Sequence, residues 1–72
     1  MNTPHYHINV FWSEEDDSFI ADIPDLTHCS AHGDTPEEAM QEVLEAQAAW
    51  LAVRITSGEP LPAPEYSAPV EA

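Results

Sequence analysis

The hydrophobic and polar positions of this chain change period once. From His5 to Trp12 they alternate, with Tyr6, Ile8, Val10 and Trp12 on one face and His5, His7, Asn9 and Phe11 on the other. A period of two predicts a half-buried β-strand. Ser13 to Asp17 is polar and charged, and from Ser18 to Ile23 the residues Phe19, Ala21 and Ile23 again face one way. This is an antiparallel hairpin. Its turn has no Asn-Gly or Asp-Gly pair, so a loop of about four or five residues is expected instead of a tight two-residue one. Pro24 has no amide to donate and ends the second strand, Leu26 anchors the following connection inward, and Cys29 to His32 forms a short third strand.

The period then becomes helical. In Gly33-Asp34-Thr35-Pro36-Glu37-Glu38-Ala39, Thr35 can cap the first free amides and Pro36 suits the first helical position. Glu38 can reach back to the Thr35 amide, which makes a capping box. Glu37 and Glu38 place negative charge at the positive end of the helix dipole, and Gly33 frees the backbone for the bend. Met40, Val43, Leu44, Gln47, Leu51 and Ile55 follow at helical spacing, widened by Ala39, Ala48 and Trp50. Glu38, Glu42 and Glu45 occupy the other side, Arg54 suits the C-terminal end, and Ser57 or Gly58 stops the helix. Beyond it, Glu59-Pro60-Leu61-Pro62-Ala63-Pro64 favours an extended polyproline conformation, with Leu61 able to reach the sheet.

Three strands and one helix give a two-layer α+β unit with the helix over one sheet face. Residues 1–64 are expected to form the domain and 65–72 a flexible, acidic, proline-containing tail. Phe11 and Ile20 fall on the uncovered parity. With Trp50 they are the candidates for an oligomer interface.

Length sharpens that expectation. A chain of 72 residues buries only about 60% of its unfolded surface, and a single Cys29 forms no internal disulfide, so a homo-dimer or tetramer is the natural source of extra core. Charge narrows the partners. Fourteen acids stand against one cation, Arg54, for a formal net charge of -13. Nucleic acid binding needs Lys and Arg to displace counterions, so direct binding by this chain is excluded, and a basic protein is the natural complement. No apolar run approaches the roughly 20 residues that span a bilayer, and no signal-peptide pattern opens the chain, so a cytoplasmic location is expected.

The candidate chemistry is sparse. His5, His7, His28, Cys29 and His32 are the only metal-type group, and their spacing matches no standard zinc pattern, so no metal or other cofactor is expected. Cys29 reads as a small buried thiol, not as a nucleophile beside His32. The acidic turn from Glu14 to Asp17 lacks the arrangement of a calcium loop. Asp22 is more informative, because it shares the polar parity of the second strand with Ile20 and can present charge within an apolar surface.

Taken together, the strand ending in Trp12-Ser13-Glu14-Glu15-Asp16, the Pro24-Asp25-Leu26 turn with Cys29 just after it, the Gly33–Ala39 segment and Gly58-Glu59-Pro60-Leu61-Pro62 resemble the HicB-like antitoxins of bacterial toxin–antitoxin pairs. The resemblance implies a partial ribonuclease H-like β-β-β-α fold, with room for a short fourth strand, and self-association. It also implies a partner, a small basic HicA-type toxin that cleaves messenger RNA and whose active site and RNA surface the antitoxin covers. Where many members have glycine before the cysteine, this chain has His28, and nothing after Pro64 suits the C-terminal DNA-binding segment found in many full-length members. Two-metal nuclease chemistry needs carboxylates converging on two cations about 3.5–4 Å apart, and the first strand supplies none. The expectation is therefore a non-enzymatic antitoxin with Asp16, Asp17, Asp22 and Asp25 as electrostatic contacts. The alternative is an orphan homo-oligomer of regulatory or structural role with no toxin.

Overall fold

The computed structural model describes residues 5–66. β1 (Asn9–Ser13), β2 (Ser18–Asp22) and β3 (Ser30–Gly33) form one antiparallel sheet in the order β1-β2-β3, and α1 (Pro36–Ser57) packs on one face of it. This is the expected two-layer β-β-β-α unit, and the hairpin loop of residues 14–17 has the expected length. The strands differ at their ends. The alternating stretch from His5 enters the ladder only at Asn9, because its partner β2 stops at Asp22 just before Ile23 and the amide-less Pro24. Similarly, β3 is shifted by one residue from the expected Cys29–His32.

The core follows the predicted parity on the sheet side. Ala21, Ile23 and Leu26 are buried together with Tyr6, Cys29, Ala39, Val43 and Leu51. The connection between β2 and β3 is tied by its own backbone, with the Ile23 amide donating to Cys29 O, Leu26 to Ile23 O and Cys29 to Leu26 O, at 3.0–3.2 Å. Leu26 is thereby held inward.

On the helix the expected apolar stripe is only half right. Ala39, Val43 and Leu51 are buried and Met40, Ala46 and Trp50 pack against the core, but Leu44 and Ile55 are 45% and 58% exposed and Ala48 is also exposed. The reason is the mismatch of layers. A helix of 22 residues runs about 33 Å, whereas a five-residue strand spans about 17 Å, so the C-terminal turns outlast the sheet. The helix also lies over β3 and β2 and least over β1. Leu44 and Trp12, both on the β1 side, are left partly bare although Trp12 faces the helix layer and packs edge-on against Phe19 at 5.0 Å.

The helix start is built nearly as its residues dictate. Thr35 Oγ1 accepts from the Glu38 amide at 3.1 Å, while the Glu38 carboxylate accepts from the Asp34 amide at 3.2 Å, one residue earlier than the expected Thr35. Gly33 is needed for space. A Cβ there would lie 2.6 Å from the Ala39 nitrogen and from Glu38 Cβ, so the bend brings the helix onto the strand too closely for any side chain. At the other end Gly58 takes the left-handed conformation, φ 73°, and its amide donates to Ile55 O.

The segment after the helix folds back on the domain. Leu61 packs on the core, Tyr6 Oη donates to Pro62 O at 2.6 Å, and the amides of Glu65 and Tyr66 donate to the Asp25 carboxylate at 3.1–3.3 Å. Tyr66 also lies 4.9 Å from the His7 ring. Most of the expected tail, residues 67–72, lies outside the described residues.

Candidate partner-binding surfaces

The uncovered sheet face is laid out by strand register. Phe11, Ile20 and His32 are cross-strand neighbours, and so are Asn9, Asp22 and Ser30. Alternation thus puts an apolar pair beside a carboxylate on one face. At the hairpin end, Asp16 Oδ2 accepts from Ser13 Oγ at 3.1 Å and its own amide donates back to that oxygen, while Asp17 takes a positive φ of 50° to close the turn. A cleft of about 540 Å³ opens between this turn and the bend before the helix, with Asp16, Asp17 and Asp34 around Ile20 and His32. Among the described residues these acids make no ion pair. Among the described residues the ion pair is Arg54–Glu59 at 3.2 Å, and the Arg54 guanidinium also covers the Trp50 ring at 4.5 Å.

The four predicted contact acids do not form one cluster. Asp16 and Asp17 sit at the hairpin end of the sheet, and Asp22 is at the other end of β2, about 16 Å along the strand. Asp25 lies beyond it and already accepts the amides of Glu65 and Tyr66. What its residue type could not reveal is that this carboxylate holds the chain's return segment. The interface candidates divide likewise. Phe11, 49% exposed, and Ile20 share the open sheet face, whereas Trp50 is on the helix layer with its indole nitrogen donating to Thr27 O at 3.0 Å. No single flat interface holds all three.

The histidines are dispersed. His7 hydrogen-bonds to Asn9 Oδ1 at 2.7 Å, His28 stands exposed with a positive φ of 60°, and His32 is exposed on β3. Among the described residues no three metal-type side chains come together. Burial pushes the Cys29 thiol up, which keeps it protonated and a poor nucleophile. Burial, followed by the nearby Asp25 charge, likewise raises Tyr6 above its ordinary value.

A second surface escapes the alternating pattern altogether. An apolar groove of about 530 Å³ runs between β1 and the first half of the helix, lined by Val10, Pro36, Glu37, Met40, Gln41 and Leu44. The exposed Leu44 could not be read from periodicity, because the stripe that contains it is wider than the sheet beneath it.

A small α+β module with an acidic open face and an uncharged sheet edge is the class these features define. A family model described as the HicB-like antitoxin of the bacterial toxin–antitoxin system matches residues 6–71. The chain belongs to that family. It is also similar to a UPF0150 protein of Synechocystis sp., with 38% identity over 47 residues, which are 65% of this chain and 64% of that protein. The match therefore spans less than two thirds of the curated relative. No solved structure matches significantly. No helix among the described residues is long and apolar enough to cross a membrane.

Proposed function

We propose that this chain binds and neutralises a small basic HicA-type toxin by covering its active site and RNA surface. The observation that carries the reading is charge: fourteen acids face one arginine, and that arginine is taken up by Glu59 and Trp50. Asp16, Asp17 and Asp22 supply the contacts, set around the apolar Phe11 and Ile20. Asp25 adds to the field while holding the return segment. Opposite potentials raise the encounter rate of such a pair, and a groove lined by acids disfavours RNA at the same surface. The chain performs no chemistry in this role; it occludes.

The test is capture from native cells with the tagged full chain as bait, followed by mass spectrometry. A stoichiometric small basic protein that cleaves messenger RNA alone, and ceases to do so with this chain added, is the expected result. Repeated recovery of the chain by itself, under conditions where a toxin is expressed, would overturn the reading.

A further inference from the structure

The chain that returns from the helix is held differently from the sheet it crosses. Pro60, Pro62 and Pro64 have no amide to donate, and among the described residues no backbone-to-backbone hydrogen bond ties residues 60–66 to the body. Side-chain anchors hold it instead. Leu61 packs on the core, the Tyr6 hydroxyl donates to Pro62 O at 2.6 Å, the Asp25 carboxylate accepts the Glu65 and Tyr66 amides, and the Tyr66 ring lies 4.9 Å from that of His7. The two ends of the segment also differ. The Glu59 amide donates to Arg54 O at 3.0 Å and its carboxylate pairs with Arg54 at 3.2 Å, which fixes Glu59 to the helix, whereas Ala63 to Tyr66 are exposed.

We infer that residues 60–66 form a strap that opens as one unit while sheet and helix stay folded, with Glu59 as its fixed end and Asp25 as its latch. Opening follows from the kind of contacts made. Beyond the half-buried Leu61 and Pro62 the strap buries little and its hydrogen bonds lie near solvent, which are the features of a segment of low local stability. Unity follows from the prolines. Fixed at φ in alternate positions, they make the segment a stiff extended piece that lifts whole instead of bending between its anchors.

Asp25 is the latch because its bonds are the charged ones. Hydrogen bonds to a carboxylate are about twice as strong as neutral ones, and the strap brings no cation of its own, since its charged side chain beyond Glu59 is Glu65. The amides alone take up that charge. Tyr6 is a dependable second anchor, because burial and then the Asp25 charge raise it above its ordinary value and keep the donating proton in place at neutral pH. Closed, the strap engages Asp25 and covers the Tyr6 hydroxyl; open, it returns both to the surface, a free acid beside an aromatic ring. The strap is thus a gate on Asp25, and its opening does not rest on the toxin reading.

Amide hydrogen exchange, followed by NMR on the full chain, tests it. Glu65 and Tyr66 should exchange through one common opening, more slowly than an unstructured chain and faster than Val43 and Leu51 in the helix. Tyr6→Phe removes only the tie to Pro62, yet should speed exchange at both amides about fivefold. Asp25→Asn should speed it at least about tenfold. Val43 and Leu51 remaining the slower pair verifies that each variant is folded. Exchange of Glu65 and Tyr66 at the rate of Val43 and Leu51 overturns the inference, because nothing then opens separately. Exchange at the rate of an unstructured chain overturns it too, because no strap is then closed. Indifference of the two amides to Tyr6→Phe would show independent anchors instead of a unit, and indifference to Asp25→Asn would remove the latch.

Discussion

Two neighbouring parts of one hairpin differ completely in charge. The turn, residues 14–17, holds four acids in succession, while β1, which leads directly into it, holds none. The turn is exposed throughout and β1 is exposed at Phe11 and Trp12, so solubility alone does not account for the contrast. The difference is in what each can approach: acids at the turn and on the open face gain from a cationic surface, and an uncharged edge gains nothing from one. Salt should act on the two differently, weakening contact between the acids and a basic partner and leaving apolar contact at the edge largely unchanged.

The sharpest way to separate them is charge reversal. With Asp16, Asp17 and Asp22 changed to Lys together, association with a basic toxin should slow by about 10–1000-fold at low ionic strength, with a flattened salt dependence. Unchanged stopped-flow kinetics would remove these acids from the contact surface.

Gly33→Ala probes how the helix is seated, and hence why β1 is left uncovered. With backbone nitrogen of Ala39 2.6 Å from the added Cβ, the helix must move, and a loss of about 1–3 kcal/mol in urea unfolding is expected. A neutral result would mean the layers adjust freely and that the bareness of Leu44 is not fixed by this junction.

Tyr6→Phe tests the return segment that Asp25 and Tyr6 hold. Removing the hydrogen bond to Pro62 O should cost about 1 kcal/mol. It should also change the alkaline limb. Because the folded Tyr6 keeps its proton more tightly than the unfolded chain, stability is full below the ordinary value of 10.0 and falls as pH rises from there toward the raised folded value. Cys29, raised in the same way from 9.0, acts in the same direction, so the comparison is best made in a Cys29→Ala background, where Tyr6→Phe should flatten the remaining decline. An unaltered pH profile would refute the assignment to Tyr6.

The smallest effect is expected at His28, whose φ of 60° lies where glycine is at ease. His28→Gly should raise the thermal midpoint slightly, by no more than about 1 kcal/mol of stability, since relief of strain is partly offset by the freer unfolded chain. A drop instead would show that the imidazole itself supports the loop.

Much of this was legible in the residues. The Thr35-Pro36-Glu37-Glu38 start and the Gly58 stop are local devices whose partners lie within a few positions, and the structure builds both with only a one-residue change in the amide that Glu38 receives. Strand parity was equally local, so Ala21 and Ile23 fell inside and Phe11 and Ile20 on the open face as alternation dictates, while Leu26 turned inward as the anchor of the connection. The candidate surface was less legible. Asp22 sits on the open face its parity implied, yet Asp25 meets amides forty and forty-one positions along the chain.

What the sequence by itself determined, then, is the order and type of the elements, the face each strand presents and the acidity that suits a basic partner, because these depend on neighbours along the chain or on composition. The tertiary structure decided which apolar residues stay bare. Trp12, Leu44 and Ile55 satisfy every periodic rule for the core, but burial requires an opposing layer, and a short three-stranded sheet set off-centre beneath a long helix leaves β1 only partly covered and little under the last turns.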